Sequence, residues 1–576
     1  MKDEGRVRSE GGAPVVHSSS LITHPSSILW ALSLIAVLAG AAALRLADLA
    51  NRPMHCDEAV HAIKFGRLLE EDDYVYDPRE YHGPSLNFLT LPIAWAASAE
   101  KLTQITQTHL RLLPAVFGIM LVGLVWLVRD ELGRAAALGA ALLTAVSPAM
   151  VFYSRYYIQE MLLVTFTFGA MVALWRYARL AGDVATRQDR PARGAWLRQG
   201  LWLVLLGLCI GMMHATKETC VIALLAMAVA AAVSMGALRC VGIRPLLLGG
   251  SVVVLTAASV SALFFSSFLD NPRGVVDSYA TYFHYLGRAS GEGSAGRHFY
   301  PPDYYLRVLF WWHRPGGPVW TEATIAALAL AGVAAGVLGK GIRPATLPMV
   351  RFLSIYTVLM TGIYSAMPYK TPWCALGFLH GMILLAGVGA TVLVRAAPGY
   401  ALKAAAILLL AAAAGHLAWE AHRASFVAYE DRDNPYVYAH TTGEVLPLVE
   451  RVEAIAAVHL EGREMPIQVI CPDDDYWPLP WYLRGFRRAG WFGRMPHGPP
   501  APLIITQPEM EPSLSEYLYE DQPPGQRRLY VPVPKEPERE DWQLRPNVPL
   551  RVYARLDLWE AYQRVGSGMA VVVCPD

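Results

Sequence analysis

The residues best equipped for chemistry lie between positions 52 and 89, directly after an apolar run. CDEAVHAIKFGRLLE (56–70) has helical periodicity, and Asp57, His61 and Lys64 stand at i, i+4 and i+7 on one face, with Glu58 beside them. Carboxylates and an imidazole so arranged could take a proton from an attacking hydroxyl or hold a divalent ion, though no spacing in the sequence establishes a metal. The competing reading is structural: first-turn acids are favoured by the helix dipole, and Asp57 could simply cap the helix. In YHGPSLNF (81–88), Gly83 and Pro84 force a turn with His82 at the bend.

Cations recur in three later segments. SRYYIQE (154–160) supplies Arg155 and Glu160, HATKE (214–218) supplies Lys217 and Glu218, and PYKTPW (368–373) supplies Tyr369 and Lys370. Each also has an ordinary interpretation, as an aromatic belt with a snorkelling arginine or as a pair that stabilises a turn. If the three turns face one side, their cations suit a phosphate-bearing ligand. His298, Asp303 and His313, in the long loop 269–318, read as part of an interfacial belt, and Asp473, Asp474 and Asp475 as a solvated loop.

The elements that must position these groups are membrane helices. Of 576 residues, 54% are hydrophobic and 17% charged, too apolar for a soluble enzyme of this size. A net charge of +1 gives no footprint for nucleic acid, and the 7 cysteines lack metal-binding spacing. Eleven stretches are long enough to span a bilayer: 28–48, 110–129, 134–152, 158–175, 200–215, 219–236, 246–268, 320–338, 348–366, 373–394 and 402–419. The segment 85–100 is shorter and is expected to lie at the interface. Lys/Arg-rich turns, above all 176–198, place the N-terminus in the cytoplasm of a cell whose plasma or inner membrane holds the chain. Every polar constellation named above then falls on the extracytoplasmic side.

The expected organisation is mainly α, with about eleven transmembrane helices and interfacial helices in the first outer loop, followed by a small α/β domain. Residues 1–26 form a cytoplasmic tail, 27–422 the membrane domain with outer loop one at 51–84, and 423–576 the extracytoplasmic domain. Within the last, a helix is expected over 443–460 and strands over 465–471, 501–507 and 570–574, with an irregular loop over 508–549.

In order, the acidic pair Asp57-Glu58, the turn His82-Gly83-Pro84, Arg-Leu-Leu-Pro (111–114) and Ser154-Arg155 with Glu160 resemble the GT-C glycosyltransferases. The branch holding protein O-mannosyltransferases and aminoarabinose transferases is the nearest. HCDEAVHA, YDPREYHGPSL and DYWPLPWYLRGF are similar, more narrowly, to a bacterial and archaeal family labelled flippase-activity-associated. This resemblance implies a polyprenyl-phosphate-linked sugar as donor, the bilayer as its medium and an acceptor of protein, lipid or glycan nature. It implies Asp57 as catalytic acid or base, Glu58 as its neighbour and Glu160 as a second acidic position. His61, His82, Arg155, Lys217, Tyr369 and Lys370 are then the expected substrate-binding residues. Mannosyltransferases commonly read His-Pro-Pro at the turn, and Gly83 replaces the first of those prolines. A transporter of lipid-linked saccharides, or an accessory to one, is the alternative reading.

Overall fold

The structure is a computed structural model that describes residues 25–71, 74–79, 82–186, 193–236, 242–290, 298–535 and 541–566. It is a polytopic helical membrane body followed by a mixed sheet. Among the described residues, eight helices are long and apolar enough to cross a bilayer. Two more helices, Arg134–Val146 and Pro148–Ser154, bent by 57° at their junction, are together long and apolar enough for a broken ninth span or a re-entrant loop. Pro148 cannot continue the hydrogen-bond ladder, so the helix breaks there, and the Ser147 hydroxyl restarts it by accepting the Met150 N–H at 3.4 Å.

Two of the expected eleven spans are shorter than the sequence implies. Cys220–Ser234 has 15 residues and Ala323–Leu338 has 16, about 22–24 Å of helix against a hydrocarbon core of about 30 Å. Their apolar runs extend into turns that carry Lys217 and Glu218 in one case and Glu322 in the other, and these polar residues set where the helices begin. Ser85–Ala96 has 12 residues, which is about 18 Å.

In the C-terminal region, β1 (Ile467–Ile470), β2 (Ala489–Phe492) and β3 (Leu503–Thr506) are parallel. β4 (Tyr530–Pro532), β5 (Asp541–Arg545) and β6 (Val548–Arg555) are added antiparallel, in the order β2-β1-β3-β6-β4 with β5 also on β6. The expected irregular loop over 508–549 is instead largely ordered. Helix Glu511–Tyr519 buries Leu514, Tyr517 and Leu518 against Ile470, Ile504 and Tyr553, and Trp542 and Leu544 alternate inward on β5. Abundant Pro and charge obscured two short periodic patterns that tertiary contact makes sufficient. The strand expected at 570–574 lies outside the described residues. Trp481 and Tyr436, both from the region after 422, pack into the core of the helical body.

Candidate functional site

At one end of the helices a cleft of about 160 Å³ opens between six segments. Helix Cys56–Glu71 lines it with Asp57, Val60, His61 and Lys64, the i, i+3, i+4, i+7 stripe of one face. Its opposite face, with Ala59, Ala62 and Phe65, is fully buried. Gly66 lets the helix lie against Leu102, since a Cβ there would come within 2.7 Å of the leucine Cδ2. The remaining walls come from His82, from Gln159 and Glu160, from Lys217, and from Tyr369, Thr371, Trp373 and Cys374, with Tyr285 above.

The two neighbouring acids have different surroundings. Glu58 is fully buried and saturated: Arg52 Nη1 donates to Oε2 at 2.8 Å, Arg111 Nε to Oε1 at 2.9 Å, and the Tyr157 and His55 backbone N–H groups each donate at 2.9 Å. Burial alone would raise its carboxyl, but the Arg111 and Arg52 charges outweigh that and hold it well below the usual carboxylate range. Asp57 is half-buried on the cleft wall, and its carboxylate has no hydrogen bond or ion pair among the described residues. It does not cap its helix either: the His55 ring accepts the Asp57 N–H at 3.1 Å. The other ring nitrogen therefore carries the proton and donates to the Tyr438 carbonyl at 2.8 Å.

Lys217 donates to Glu160 across the cleft floor, and both are buried. Burial would lower the Lys217 ammonium, yet the Glu160 carboxylate, together with Cys374 and Glu218, raises it well above its ordinary value. His82 Nδ1 lies 3.1 Å from Glu218. Burial pushes the Glu218 carboxyl up, but the His82 charge and hydrogen bond and then Lys217 bring it down to about 2. Burial drives His61 well below its ordinary value, and the charges of Lys64, His82 and Lys217 add to that, so this imidazole is neutral. Its ring centroid is 6.1 Å from that of His82, and Gln159 Nε2 is 3.4 Å from its Nδ1.

Backbone geometry fixes His82 in place. Its φ is +65°, in the left-handed region, and the following Gly83 N–H donates to the Thr216 carbonyl at 3.0 Å. A Cβ on Gly83 would meet the Ala215 carbonyl oxygen at 2.1 Å, so glycine is required for the turn to dock on the end of helix Arg193–Thr216. The departure from His-Pro-Pro thus has a local cause.

Of the residues singled out in sequence, Asp57, His61, His82, Glu160, Lys217 and Tyr369 converge on the cleft. Glu58, Arg155 and Lys370 are not among its lining residues. Arg155 is buried and donates to the carbonyls of Ala47 at 2.6 Å and Asp48 at 2.8 Å, tying down the end of the first span. Lys370 is buried, donates to the Met367 carbonyl and lies 6.0 Å from the Tyr305 ring. Glu218, Gln159, Tyr285, Trp373 and Cys374 were missed as site residues. Glu218, Gln159 and Trp373 stand in the quoted HATKE, SRYYIQE and PYKTPW segments, but Tyr285 and Cys374 carry no local signal. Among the described residues, no group of three or more His, Cys, Asp or Glu side chains converges as a metal site.

A family profile described as dolichyl-phosphate-mannose-protein mannosyltransferase matches residues 86–269. No curated protein sequence matches the chain. Among solved structures, ArnT from Cupriavidus metallidurans bound to undecaprenyl phosphate is similar over 92% of this chain and 99% of its own, at 14% identity and a TM-score of 0.56. The archaeal oligosaccharyltransferase AglB from Archaeoglobus fulgidus, in complex with an inhibitory peptide and a dolichol-phosphate, is similar over 84% of this chain and 70% of its own. There the identity is 13% and the TM-score 0.56. The narrower kinship with the flippase-activity-associated family rests on the quoted motifs alone. By its helical body, its C-terminal sheet and these likenesses, the chain is a multi-pass membrane protein with the fold of the GT-C glycosyltransferases.

Proposed function

We propose that the protein is a membrane glycosyltransferase that moves a sugar from a polyprenyl-phosphate donor to an acceptor hydroxyl at the extracytoplasmic face. The observation that carries this reading is Asp57: a carboxylate without a partner among the described residues, in a cleft whose other walls hold Lys217 and His82. A carboxylate left in that state beside a membrane is costly unless it acts on something that arrives.

In the proposed reaction the acceptor hydroxyl attacks the anomeric carbon while Asp57 takes its proton. The bond from the anomeric carbon to the phosphate oxygen breaks, and its electron pair leaves with the polyprenyl phosphate, which gains one negative charge. Lys217 and the His82 imidazole face that developing charge in a poorly solvated cleft, where fixed cations act strongly. Glu160 holds the Lys217 ammonium protonated and in place, and Glu218, 3.1 Å from Nδ1, fixes the orientation of the His82 ring. Neutral His61 and Tyr369 orient the sugar or acceptor. Glu58 serves as the anchor of the helix that presents Asp57.

The Lys/Arg bias of the turns supports a cytoplasmic N-terminus in a plasma or inner membrane, with the cleft and the α/β region outside. The experiment is turnover of radiolabelled polyprenyl-phosphate sugars by purified wild type and Asp57→Asn. Transfer by wild type that the variant lacks supports the reading. Equal turnover removes Asp57 from its role, and donor movement across vesicles without transfer overturns the enzyme in favour of a transporter. Labelling of Arg187→Cys from outside intact cells would overturn the orientation, whereas labelling of Ser290→Cys supports it.

A further inference from the structure

A second cavity, of about 330 Å³, opens toward the other end of the helical body between helices Arg134–Val146, Ala323–Leu338, Leu376–Ala396 and Gly399–His422. Leu142, Leu328, Val394, Ile407 and Leu410 make its walls apolar. The space has a sequence cause, since Gly139, Ala390 and Ala413 are too small to fill the gap between the four helices. The first two helices are in close contact beside it, where a Cβ on Gly387 would meet the Ala136 carbonyl oxygen at 2.3 Å.

The mouth of this slot is cationic. Arg395 lines both the slot and a smaller adjoining cavity that Arg343 also lines. Both side chains are exposed, and neither has a hydrogen bond or ion pair among the described residues. The nearby acids are already engaged: Glu131 lies 3.0 Å from Arg179, and Asp130 lies 3.9 Å from both Arg129 and Arg176. Arg395 ends the helix whose opposite end leads from the cleft residues Thr371 and Trp373, so the mouth is about 30 Å from the cleft, at the other membrane surface.

Two guanidinium groups without a protein partner among the described residues, at headgroup depth above an apolar slot at hydrocarbon depth, suit an anionic lipid. We propose that this slot binds an anionic glycerophospholipid of the leaflet opposite the cleft, its phosphate between Arg343 and Arg395 and one acyl chain in the slot. A guanidinium pairs with a phosphate oxygen pair in a planar fork, and basic pockets between transmembrane helices suit anionic headgroups. The apolar walls alone would take any acyl chain, so the arginines are what discriminate.

The test is native mass spectrometry of the detergent-purified full chain after incubation with equimolar dioleoyl phosphatidylglycerol and phosphatidylcholine, and separately with undecaprenyl phosphate. Wild type should retain phosphatidylglycerol over phosphatidylcholine by about tenfold, and Arg343→Gln with Arg395→Gln should bring the ratio to within about twofold. Ala413→Phe, which fills the slot, should lower retention of both lipids. Equal retention of the two lipids by wild type, or unchanged selectivity in the double arginine variant, overturns the proposal. So does preferential retention of undecaprenyl phosphate, which would assign the slot to a polyprenyl lipid instead.

Discussion

Asp57 and Glu58 are adjacent in the chain, yet Glu58 is fully enclosed between Arg52 and Arg111 while Asp57 opens onto the cleft. A helix turns 100° per residue, so one step is enough to separate a structural acid from an available one. The pair therefore gives opposite phenotypes on substitution. Asp57→Asn should leave folding intact and lower sugar transfer by at least about 10²-fold, the ordinary worth of a general base. Thermal unfolding and radiolabel turnover on the same preparation check both halves.

Glu58→Gln should do the reverse, acting first on stability. It leaves two buried guanidinium groups short of their counter-charge, and breaking such a cluster costs about 3–5 kcal/mol. The expected outcome is a lowered unfolding temperature or loss of folded protein from the membrane, read by fluorescence-detected size exclusion of a tagged chain.

Lys217 and Glu160 form a buried pair, so their substitutions should not add. Lys217→Met or Glu160→Gln alone strands a charge at about 3–5 kcal/mol, whereas the double variant should recover a large part of the stability without recovering transfer. A double-mutant cycle on unfolding temperature and on turnover separates the stabilising role from the catalytic one.

Gly83→Ala should displace the turn that carries His82, because the new methyl group would meet the Ala215 carbonyl. An overpacked contact against backbone costs about 1–3 kcal/mol. The measurable outcome is a raised KM for the donor together with lowered stability, compared with His82→Gln, which leaves the turn in place but takes from buried Glu218 its nearest partner, so that transfer and the stability held by Glu218 should fall together.

Glu218 gives a pH signature. Its folded carboxyl lies near 2, below the ordinary 4.5, so it contributes stability that is fully present above about 4.5 and is lost as pH falls from there toward 2. A displacement of that size corresponds to something on the order of 3 kcal/mol. Glu218→Gln should flatten the acid limb of the stability profile between those values, measured by unfolding temperature against pH.

The sequence by itself determined the membrane class, the helical period of 56–70 and the stripe Asp57, His61 and Lys64, because burial periodicity and apolar length are local properties. It also located the turn at Gly83-Pro84 and two of the six strands of the C-terminal sheet, β1 and β3. What it could not separate was function from support. Arg155, Lys370 and Glu58 have the same residue types as cleft groups, and only tertiary structure decided that their polar atoms are spent on backbone carbonyls or on buried partners. The same holds for Glu218, and for Tyr285, Trp373 and Cys374 from distant segments, which reach the cleft through helix packing. A charged atom's availability depends on which neighbours fill its hydrogen-bonding capacity, and those neighbours can be a hundred residues or more away in the chain, as Glu218 is from His82.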